Sequence, residues 1–375
     1  MVRVFAATGR ERPTYDSLRM PHPRRATEPP ASLAEIGARV EGRIADLLDK
    51  ERVRWTVVDP ALAAPLASLE GFVAAGGKRL RPAFCHWAFV GAGGDPHDPV
   101  VVDAGAALEL LHTFALIHDD VMDGSDERRS LPAVHRQFVE LHEQKSWRGE
   151  SRRFGEGAAI LVGDFAFVYA DVLFAAASPA ARPVYDELRV ELCVGQYLDL
   201  HGSAVGGSDP ERARRIHRYK SGKYTVERPL HLGAALNGRL DELAGPLTRF
   251  GLPLGEAFQL RDDLLGVFGD REITGKPVGD DLREGKMTPL VAAAAARATG
   301  AAAKLLDRMG SIDLSETEVA EIQHVLVDCG AVAEIETSID HLVDDAMAAL
   351  ATVPLAERAR AELEALGVYV AWRDR

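Results

Sequence analysis

From Ser32 almost to its end, the chain carries apolar residues at the three- and four-residue spacing of amphipathic helices, as in Leu108, Leu111, Ala115 and Met122. Gly, Pro or Asp separates these Ala- and Leu-rich segments, and alternating strand-like runs are scarce. We therefore predict an all-α protein, a helical bundle with neighbouring helices antiparallel. The predicted helices include 33–53, 100–123, 157–177, 180–201, 210–236, 240–267, 287–309, 315–329 and 331–350.

The first 31 residues do not follow this pattern. They combine five prolines with many arginines and few large apolar residues, a composition that does not support a packed core. We therefore predict a disordered tail over residues 1–31 and one domain over residues 32–375.

Two polar stretches interrupt the helical pattern further along the chain. Residues 140–156 are rich in charged side chains, and we interpret them as a surface insertion. Residues 269–287 combine glycines and prolines with many charges, which is typical of a functional loop.

Composition excludes several classes of function and site. The net charge of −13 disfavours binding to nucleic acid or to an anionic membrane surface. Three scattered cysteines without a CxxC pair argue against disulfides and a zinc site, and they fit a cytoplasmic location. No stretch approaches the ~20 apolar residues of a membrane helix, so we predict no transmembrane segment.

The segment LELLHTFALIHDDVMD ends an apolar helix with Asp119, Asp120 and Asp123. Asp119 and Asp123 are four residues apart, so they share a helix face, where like charges repel and add no stability. Mg²⁺ takes one or two carboxylates from a protein and completes its shell with water and phosphate. His112 precedes Asp119 by one heptad, on the same face. The segment predicts a magnesium site, and a solvated acidic helix end is the alternative.

A second pair of carboxylates lies far away in the segment GEAFQLRDDLLGVFGD. Gln259, Asp262, Asp263 and Gly266 are spaced so that they share one helix face. Two aspartate-bearing helices predict two walls of one metal–diphosphate site.

Basic residues cluster near these aspartates despite the acidic composition. Arginine forks and lysine ammonium groups are the usual partners of phosphate oxygens. We therefore predict an anionic substrate that a metal bridges to the carboxylates. The clusters are Lys78, Arg79 and Arg81; Arg128 and Arg129; Lys220 and Lys223; and Lys276 and Lys286.

Six motifs follow one another along the chain: GGKRLRP, LELLHTFALIHDDVMDGSDERR, GQYLDL, YKSGKYT, FQLRDD and GKPVGDDLREGK. Over residues 33–350 the chain resembles the trans-isoprenyl diphosphate synthases, the polyprenyl synthetase family that includes farnesyl and geranylgeranyl diphosphate synthases. The resemblance implies the isoprenoid synthase fold, which is a single large helical bundle around a central cavity. It also implies a homodimer and a prenyltransferase. Such an enzyme condenses isopentenyl diphosphate with an allylic diphosphate by ionisation, condensation and elimination. It also implies three Mg²⁺ ions per active site, for which Mn²⁺ can substitute.

The same resemblance assigns roles to individual residues. Isopentenyl diphosphate is expected to bind Lys78, Arg81, His112 and Arg129. The allylic diphosphate is expected to bind Arg128, Lys220, Ser221, Gln259 and Lys276. Metal ligation is expected from Asp119, Asp123 and Asp262, with Asp120 and Asp263 in or beside the metal shell. Catalysis is expected to depend most on Asp119, Asp123, Lys220 and Asp262, and Gln196 and Asp199 are expected to line the cavity.

The chain departs from the family pattern at the second aspartate motif. Gly266 stands where a third aspartate is usual, and Asp270 is out of phase to replace it. One metal is therefore expected to depend more on water or phosphate. Ser221 stands where threonine is usual, which keeps the hydroxyl, and the charged stretch 140–156 is longer than expected.

The residues four and five before the first aspartate, Ala115 and Phe114, bear on product length. Ala115 is one helical turn from Asp119 on the same face, while Phe114 is about 140° round an ideal helix and reaches the pocket only from the flank. The chain has a small residue at the fourth position, an aromatic residue at the fifth and no insertion in the motif. In these features it resembles synthases whose products stop at twenty carbons. We expect geranylgeranyl diphosphate as the main product, with farnesyl diphosphate second. The alternative is that Phe114 only packs between helices.

Two other functions remain as alternatives. A class I terpene cyclase would share the fold and DDxxD, but it has no use for a second diphosphate site, and its NDxxSxxxE motif is absent. A non-catalytic partner subunit generally lacks an intact first aspartate motif, which this chain keeps.

Overall fold

Helices form nearly all of the regular structure in a computed structural model, which describes residues 28–129, 131–205, 210–269, 279–311 and 313–373. The first helices are α1 (Ala31–Thr56), α2 (Ala63–Ala74), α3 (Leu80–Gly91) and α4 (Pro99–Asp123), with a 3₁₀ turn at Pro60–Leu62. A short antiparallel pair, β1 (Glu127–Arg128) and β2 (Leu131–Pro132), leads to α5 (Val134–Gln144), α6 (Ser151–Phe174), α7 (Arg182–Val205) and α8 (Pro210–His217). A π-helix (Arg218–Glu227) precedes α9 (Arg228–Leu236) and α10 (Leu240–Phe268). The last helices are α11 (Asp280–Arg283), α12 (Pro289–Ala295), α13 (Ala301–Leu306), α14 (Glu316–Asp328), α15 (Ala331–Leu350) and α16 (Glu357–Trp372). The predicted all-α fold is confirmed.

Helix α4 lies at the centre and carries the first aspartate motif at its end. The Asp98 side chain caps its start by accepting from the Val100 N–H, and Pro99 occupies the first turn. It packs against α1, α3 and α6, with Leu108 fully buried. Gly124, at φ 68°, ends the helix just after the aspartates. The motif is thus fixed at the end of a rigid, buried element.

Helix α10 carries the second aspartate motif. It packs against α15 and the π-helix, and Leu254 and Leu264 on it are fully buried. The helix continues through Pro246 and Pro253, which lie in its first half. The aspartates lie in its second half, which has no proline.

Residues 143–150 are exposed, as the surface interpretation of residues 140–156 predicts, but the stretch is not irregular over most of its length. Helix α5 continues to Gln144 and α6 begins at Ser151, so only the residues between them form a connection. Aromatic packing holds it, because the Trp147 ring lies 6.1 Å from His142 and 5.2 Å from Phe154. Residues 270–278 of the predicted loop 269–287, which include Asp270 and Lys276, and most of the predicted tail lie outside the described residues.

Two helices are long and apolar enough to cross a membrane, contrary to the sequence-based expectation. They are α4 and α6. In the most apolar part of α4, 61% of the residues are buried inside the protein. This helix is therefore apolar because it belongs to the core. For α6 the share is 44%, so this helix has a substantial apolar surface that the described chain leaves uncovered.

Candidate active site

One cavity of about 1170 Å³ lies between α1, α3, α4, α7, the π-helix and α10. It brings together most of the residues selected from the sequence. Phe114, Asp120 and Asp123 belong to α4 but do not form part of this wall. The predicted residues on the wall are Lys78, Arg81, His112, Ala115, Asp119, Arg128, Arg129, Gln196, Asp199, Lys220, Ser221, Gln259, Asp262 and Asp263.

Asp119 receives donors from two other elements of the fold. Its Oδ1 accepts hydrogen bonds from Lys220 Nζ at 3.0 Å and from Gln196 Nε2 at 2.8 Å, and its Oδ2 is 3.8 Å from Arg128 Nη2. Burial alone would raise the pKa of Asp119, but the charges of Lys220, Arg128 and Lys286 hold it below the ordinary value. The carboxylate is therefore ionised and suited to binding a cation.

The other aspartates of this motif have different partners. Asp120 is buried and accepts hydrogen bonds from Arg128, with the Nε contact at 2.8 Å. Asp123 lies 4.0 Å from Lys286 Nζ, and burial together with the Asp119 charge raises the pKa of Asp123 to about 6. Asp120 thus positions the Arg128 guanidinium, and its place beside a metal stays a prediction.

Glycines allow the π-helix to bring Lys220 close to α7. A Cβ on Gly195 would lie 2.4 Å from the Lys220 backbone nitrogen, and one on Gly255 would lie 2.6 Å from the Gly222 oxygen. The π-helix is therefore held between α7 and α10 by close backbone contacts, and π-helical turns are frequent at functional sites. The Lys220 ammonium consequently lies 2.6 Å from Asp199 Oδ2. Sequence reasoning identified Lys220 but not the role of these glycines. They are the sequence feature that could have predicted the close contacts of the π-helix.

A second cationic group lies at the start of α3. Arg81 Nη2 donates to Thr225 Oγ1 at 2.9 Å, and its guanidinium lies 4.4 Å from the Tyr224 ring centroid. Arg81 Nε is buried without a hydrogen-bond partner among the described residues, so it can donate to an anion. Burial, assisted by the Arg81 charge, lowers the pKa of His112 well below its ordinary value, so this imidazole is neutral.

Arg129 and Lys78 extend this group. Arg129 has a left-handed backbone (φ 53°), and its guanidinium lies 5.5 Å from the Phe72 ring centroid. A Cβ on Gly77 would lie 2.9 Å from Arg129 Nη2, so glycine leaves room for this side chain. The surrounding protein and the Arg373 charge lower the pKa of Lys78 to about 7, although solvent reaches this residue at the cavity mouth. A bound diphosphate would favour the charged form of Lys78.

The second wall of the cavity carries Asp262 and Asp263. Asp262 accepts a hydrogen bond from Arg373 Nη2, and its side chain remains 37% exposed. Asp263 is buried and accepts from Gln259 Nε2 at 3.0 Å. Burial raises the pKa of Asp263 well above its ordinary value, so its ionisation would be favoured by a cation beside it.

The C-terminal residues support this wall through a contact with Asp262, and sequence reasoning missed them. The Arg373 side chain is fully buried and lies 4.4 Å from the Phe258 ring centroid. Nearby, Arg261 makes two bonds to Glu336, at 2.7 and 2.8 Å, and donates to the Ala371 carbonyl at 2.8 Å. These contacts fasten the end of α16 beside Asp262. No periodicity or motif in the last residues indicated this role.

The residues present fit a divalent cation that binds together with a diphosphate. Among the described residues, no three His, Cys, Asp or Glu side chains are close enough to form a metal site by themselves. Mg²⁺ needs only one or two carboxylates when phosphate and water complete its shell. The Lys286 ammonium already lies near three carboxylates: it pairs with Glu284 and lies 3.6 Å from Asp281 and 4.0 Å from Asp123 of the first aspartate motif.

Comparison with known proteins decides the family. A sequence model described as polyprenyl synthetase matches residues 65–327. The chain belongs to the polyprenyl synthetase family. The curated family members that it resembles include a short chain isoprenyl diphosphate synthase of Methanothermobacter thermautotrophicus. This relative is 34% identical over 307 residues, which cover 78% of the chain and 86% of the relative.

Other members of the polyprenyl synthetase family differ in their products. A (2E,6E)-farnesyl diphosphate synthase of Mycobacterium bovis is 33% identical over 311 residues, which cover 80% of each chain. The fold matches a geranylgeranyl pyrophosphate synthase of Corynebacterium glutamicum, solved with isoprenyl diphosphate and magnesium. Its TM-score is 0.87 at 36% identity, covering 91% of this chain and 99% of that one. The chain is therefore a prenyltransferase of the short-chain type within this family.

Proposed function

We propose that the protein condenses isopentenyl diphosphate with allylic diphosphates and that the reaction requires Mg²⁺. The observation that carries this proposal is the presence on one cavity wall of two cationic groups that have different partners in the protein. Arg81, Arg129 and Lys78 form one group, while Lys220 and Arg128 form the other. Two diphosphate substrates need two such subsites.

The residues of the second group are placed to stabilise a leaving diphosphate. When the allylic carbon–oxygen bond breaks, negative charge accumulates on the diphosphate, and Lys220 and Arg128 lie beside Asp119 to bind it. A bound Mg²⁺ would supply further stabilisation of that charge through Asp119, Asp123 and Asp262. The double bond of isopentenyl diphosphate then attacks the allylic carbon. The resulting cation loses a proton to the departed diphosphate, the proposed base, and gives the lengthened allylic diphosphate.

The cavity also has an apolar part that suits the hydrocarbon chain. Ala115, Leu116 and Leu192 lie on its wall, near the aspartates of α4. An allylic cation reacts with water, so an apolar lining that limits water protects it. We propose three Mg²⁺ ions per site with Mn²⁺ as a substitute, and a cytoplasmic location, which the absence of a cysteine framework supports.

A terpene cyclase is the alternative that a simple experiment separates. The purified protein is incubated with Mg²⁺ and geranylgeranyl diphosphate alone, and then with isopentenyl and farnesyl diphosphates together. A synthase leaves the first substrate intact and consumes both of the second pair. Release of a hydrocarbon from the first incubation, without condensation in the second, would establish a cyclase instead.

We further propose that the main product is geranylgeranyl diphosphate, with farnesyl diphosphate as the second candidate. The small side chain of Ala115 on the cavity wall supports this length, because it leaves space one turn beneath Asp119. Phe114 is not on the wall. Its ring packs against Phe167 and His118, with centroids 4.9 and 4.6 Å away. Phe114 therefore backs the pocket from the interface between α4 and α6.

Product length gives a direct prediction. Ala115→Phe should fill the pocket and shift the products toward fifteen carbons. Phe114→Ala should open space behind Ala115 and lengthen the products, by a smaller shift because its ring is not on the wall. Chromatography of the dephosphorylated products measures both. Unchanged product distributions from two folded, active variants would refute this pocket.

We also propose that a second copy of the chain covers the exposed apolar face of α6 and α7. Leu161, Val168 and Val172 on α6 are 54–60% exposed, and Val190 and Tyr197 on α7 are 58% and 65% exposed. Apolar patches on this scale are unusual on monomers. A face on two neighbouring helices suits a self-complementary two-fold contact.

The size of the protein in solution tests this dimer. Sedimentation velocity should give twice the 40.5 kDa chain mass. The double variant Leu161→Asp/Val168→Asp should sediment as a monomer, because it would bury charges in the contact. Val57→Asp, an equally polar change at an exposed site on another surface, should stay dimeric. A monomeric parent protein would contradict the proposal.

A further inference from the structure

Lys223, which the sequence groups with Lys220 as a partner of phosphate, belongs instead to an ion-pair cluster behind the π-helix. Lys220 lies on the cavity wall, whereas Lys223 lies outside it. The Lys223 ammonium pairs with Glu191, a buried carboxylate of α7, and lies 5.2 Å from the Tyr219 ring centroid. Arg228 donates two hydrogen bonds to the same carboxylate, from Nε at 2.6 Å and from Nη2 at 2.7 Å. The partner of Lys223 is therefore a protein carboxylate.

This cluster joins α7 firmly to the end of the π-helix. Burial alone would raise the pKa of Glu191, but hydrogen bonds from Arg228 and Lys223 hold it below its ordinary value. The carboxylate is therefore ionised between two cations. Separating the partners would leave charges unpaired inside the protein, which is strongly unfavourable. Glu191 consequently fixes where both cations lie relative to α7.

The spacing of the two cations matches the pitch of a π-helix. Lys223 and Arg228 are five residues apart, and the backbone between them is π-helical as far as Glu227. In an α-helix, side chains five residues apart point about 140° away from each other. A π-helix closes hydrogen bonds between residues i and i+5, so the fifth residue returns near the face of the first. One carboxylate that binds both cations therefore favours the π-helical form over the α-helical one.

We infer that Glu191 is a positioning residue, which holds the π-helix in the register that places Lys220 and Ser221 on the cavity wall. The inference rests on the proposed function and deepens it. π-Helices are rare, so one of ten residues needs contacts from neighbouring elements to persist. Helix α7 supplies such contacts on two sides, because Asp199 lies 2.6 Å from Lys220 Nζ at the cavity and Glu191 binds from behind. A change at Glu191 should therefore reach the substrate through Lys220.

Backbone hydrogen exchange tests the register without any substrate. Glu191→Gln keeps the shape of the side chain and removes its charge, so it should speed exchange of the π-helix amides by about tenfold or more. The matched control is Glu187→Gln, the same change one turn earlier on α7, where the carboxylate is 56% exposed and 3.9 Å from Arg228 Nη2. This control should exchange like the parent. Parental exchange of the π-helix in a folded Glu191→Gln protein would overturn the inference.

Lys223→Met is a second variant that leaves the buried carboxylate paired. Arg228 keeps its two hydrogen bonds to Glu191, so the protein should stay folded. The kcat for condensation should fall roughly ten- to a hundredfold, because a small displacement of Lys220 weakens its hold on the leaving diphosphate. A kcat equal to that of the parent would contradict the inference.

The same change in a Lys220→Ala protein separates positioning from direct binding of phosphate. There Lys223→Met should change kcat by less than about threefold, because its effect in the parent passes through Lys220. Two independent phosphate ligands would instead lower kcat by the product of their single losses, and that result would overturn the inference. The proposed function fails separately, since a parent protein that condenses no substrates would still show in hydrogen exchange whether Glu191 holds the π-helix.

Discussion

Asp119→Ala is expected to reduce turnover by on the order of a thousandfold while the protein stays folded. Asp119 lies at the end of α4, where it contacts Lys220 and Gln196 and takes no part in core packing. Removing it deletes a predicted metal ligand and leaves the Lys220 ammonium with Asp199 as its remaining carboxylate. Turnover at saturating substrates and Mg²⁺ measures the loss, and circular dichroism measures the fold.

The control for this variant is Asp126→Ala. Asp126 follows the motif closely but is 75% exposed and pairs with Arg136 at the surface. An exposed ion pair contributes little to the stability of the fold, so the activity of Asp126→Ala should remain close to that of the parent. An Asp119→Ala protein with more than about a tenth of the parental turnover would be incompatible with its assignment as a metal ligand.

Lys220→Ala and Arg81→Ala are expected to affect different substrates. Lys220 contacts Asp119 and Asp199 beside the predicted allylic subsite, so its loss should lower kcat by about a hundredfold or more. Arg81 lies on α3 with its buried Nε available to an anion. Its loss should raise the KM for isopentenyl diphosphate by roughly ten- to a hundredfold, the value of a charged hydrogen bond.

Steady-state kinetics with each substrate varied in turn separates these effects. Arg218→Ala is the control, because Arg218 begins the same π-helix but is exposed. It should leave both KM values unchanged. If Lys220→Ala and Arg81→Ala both raised the KM of one substrate and spared the other, the assignment of two subsites would be wrong.

The parts of the site that could be predicted from the sequence depend on local helix geometry. Asp119 and Ala115 share a face because they are four residues apart, and the structure places both on the cavity wall. The same geometry put Phe114 to the flank of the pocket, but its ring is not on the cavity wall and packs against Phe167 between two helices, which is the alternative interpretation. Such relationships follow from residues close in sequence, so periodicity alone can reveal them.

The parts that were missed depend on contacts between residues distant in sequence. Arg373 reaches Asp262 only because Arg261, Glu336 and Ala371 fasten the C-terminal end to α10. Asp281 fills the space at Gly266 from another helix. No spacing rule connects these positions.

Residues 140–156 were misread for a related reason. Their charged composition indicated an irregular insertion, yet the stretch is mostly helical. Three aromatic rings, those of His142, Trp147 and Phe154, pack together where the two helices meet. Composition counts the many charged residues equally with the few aromatic ones, whereas packing depends mainly on the latter.

Condensation itself is the most direct test of the account. Purified protein is incubated with labelled isopentenyl diphosphate, an allylic primer (dimethylallyl, geranyl or farnesyl diphosphate) and Mg²⁺, and the products are sized. The account predicts that label enters an allylic diphosphate, mainly of twenty carbons, only when both substrates and the metal are present. Full turnover in excess chelator, or no condensation with any of the three primers, would contradict it.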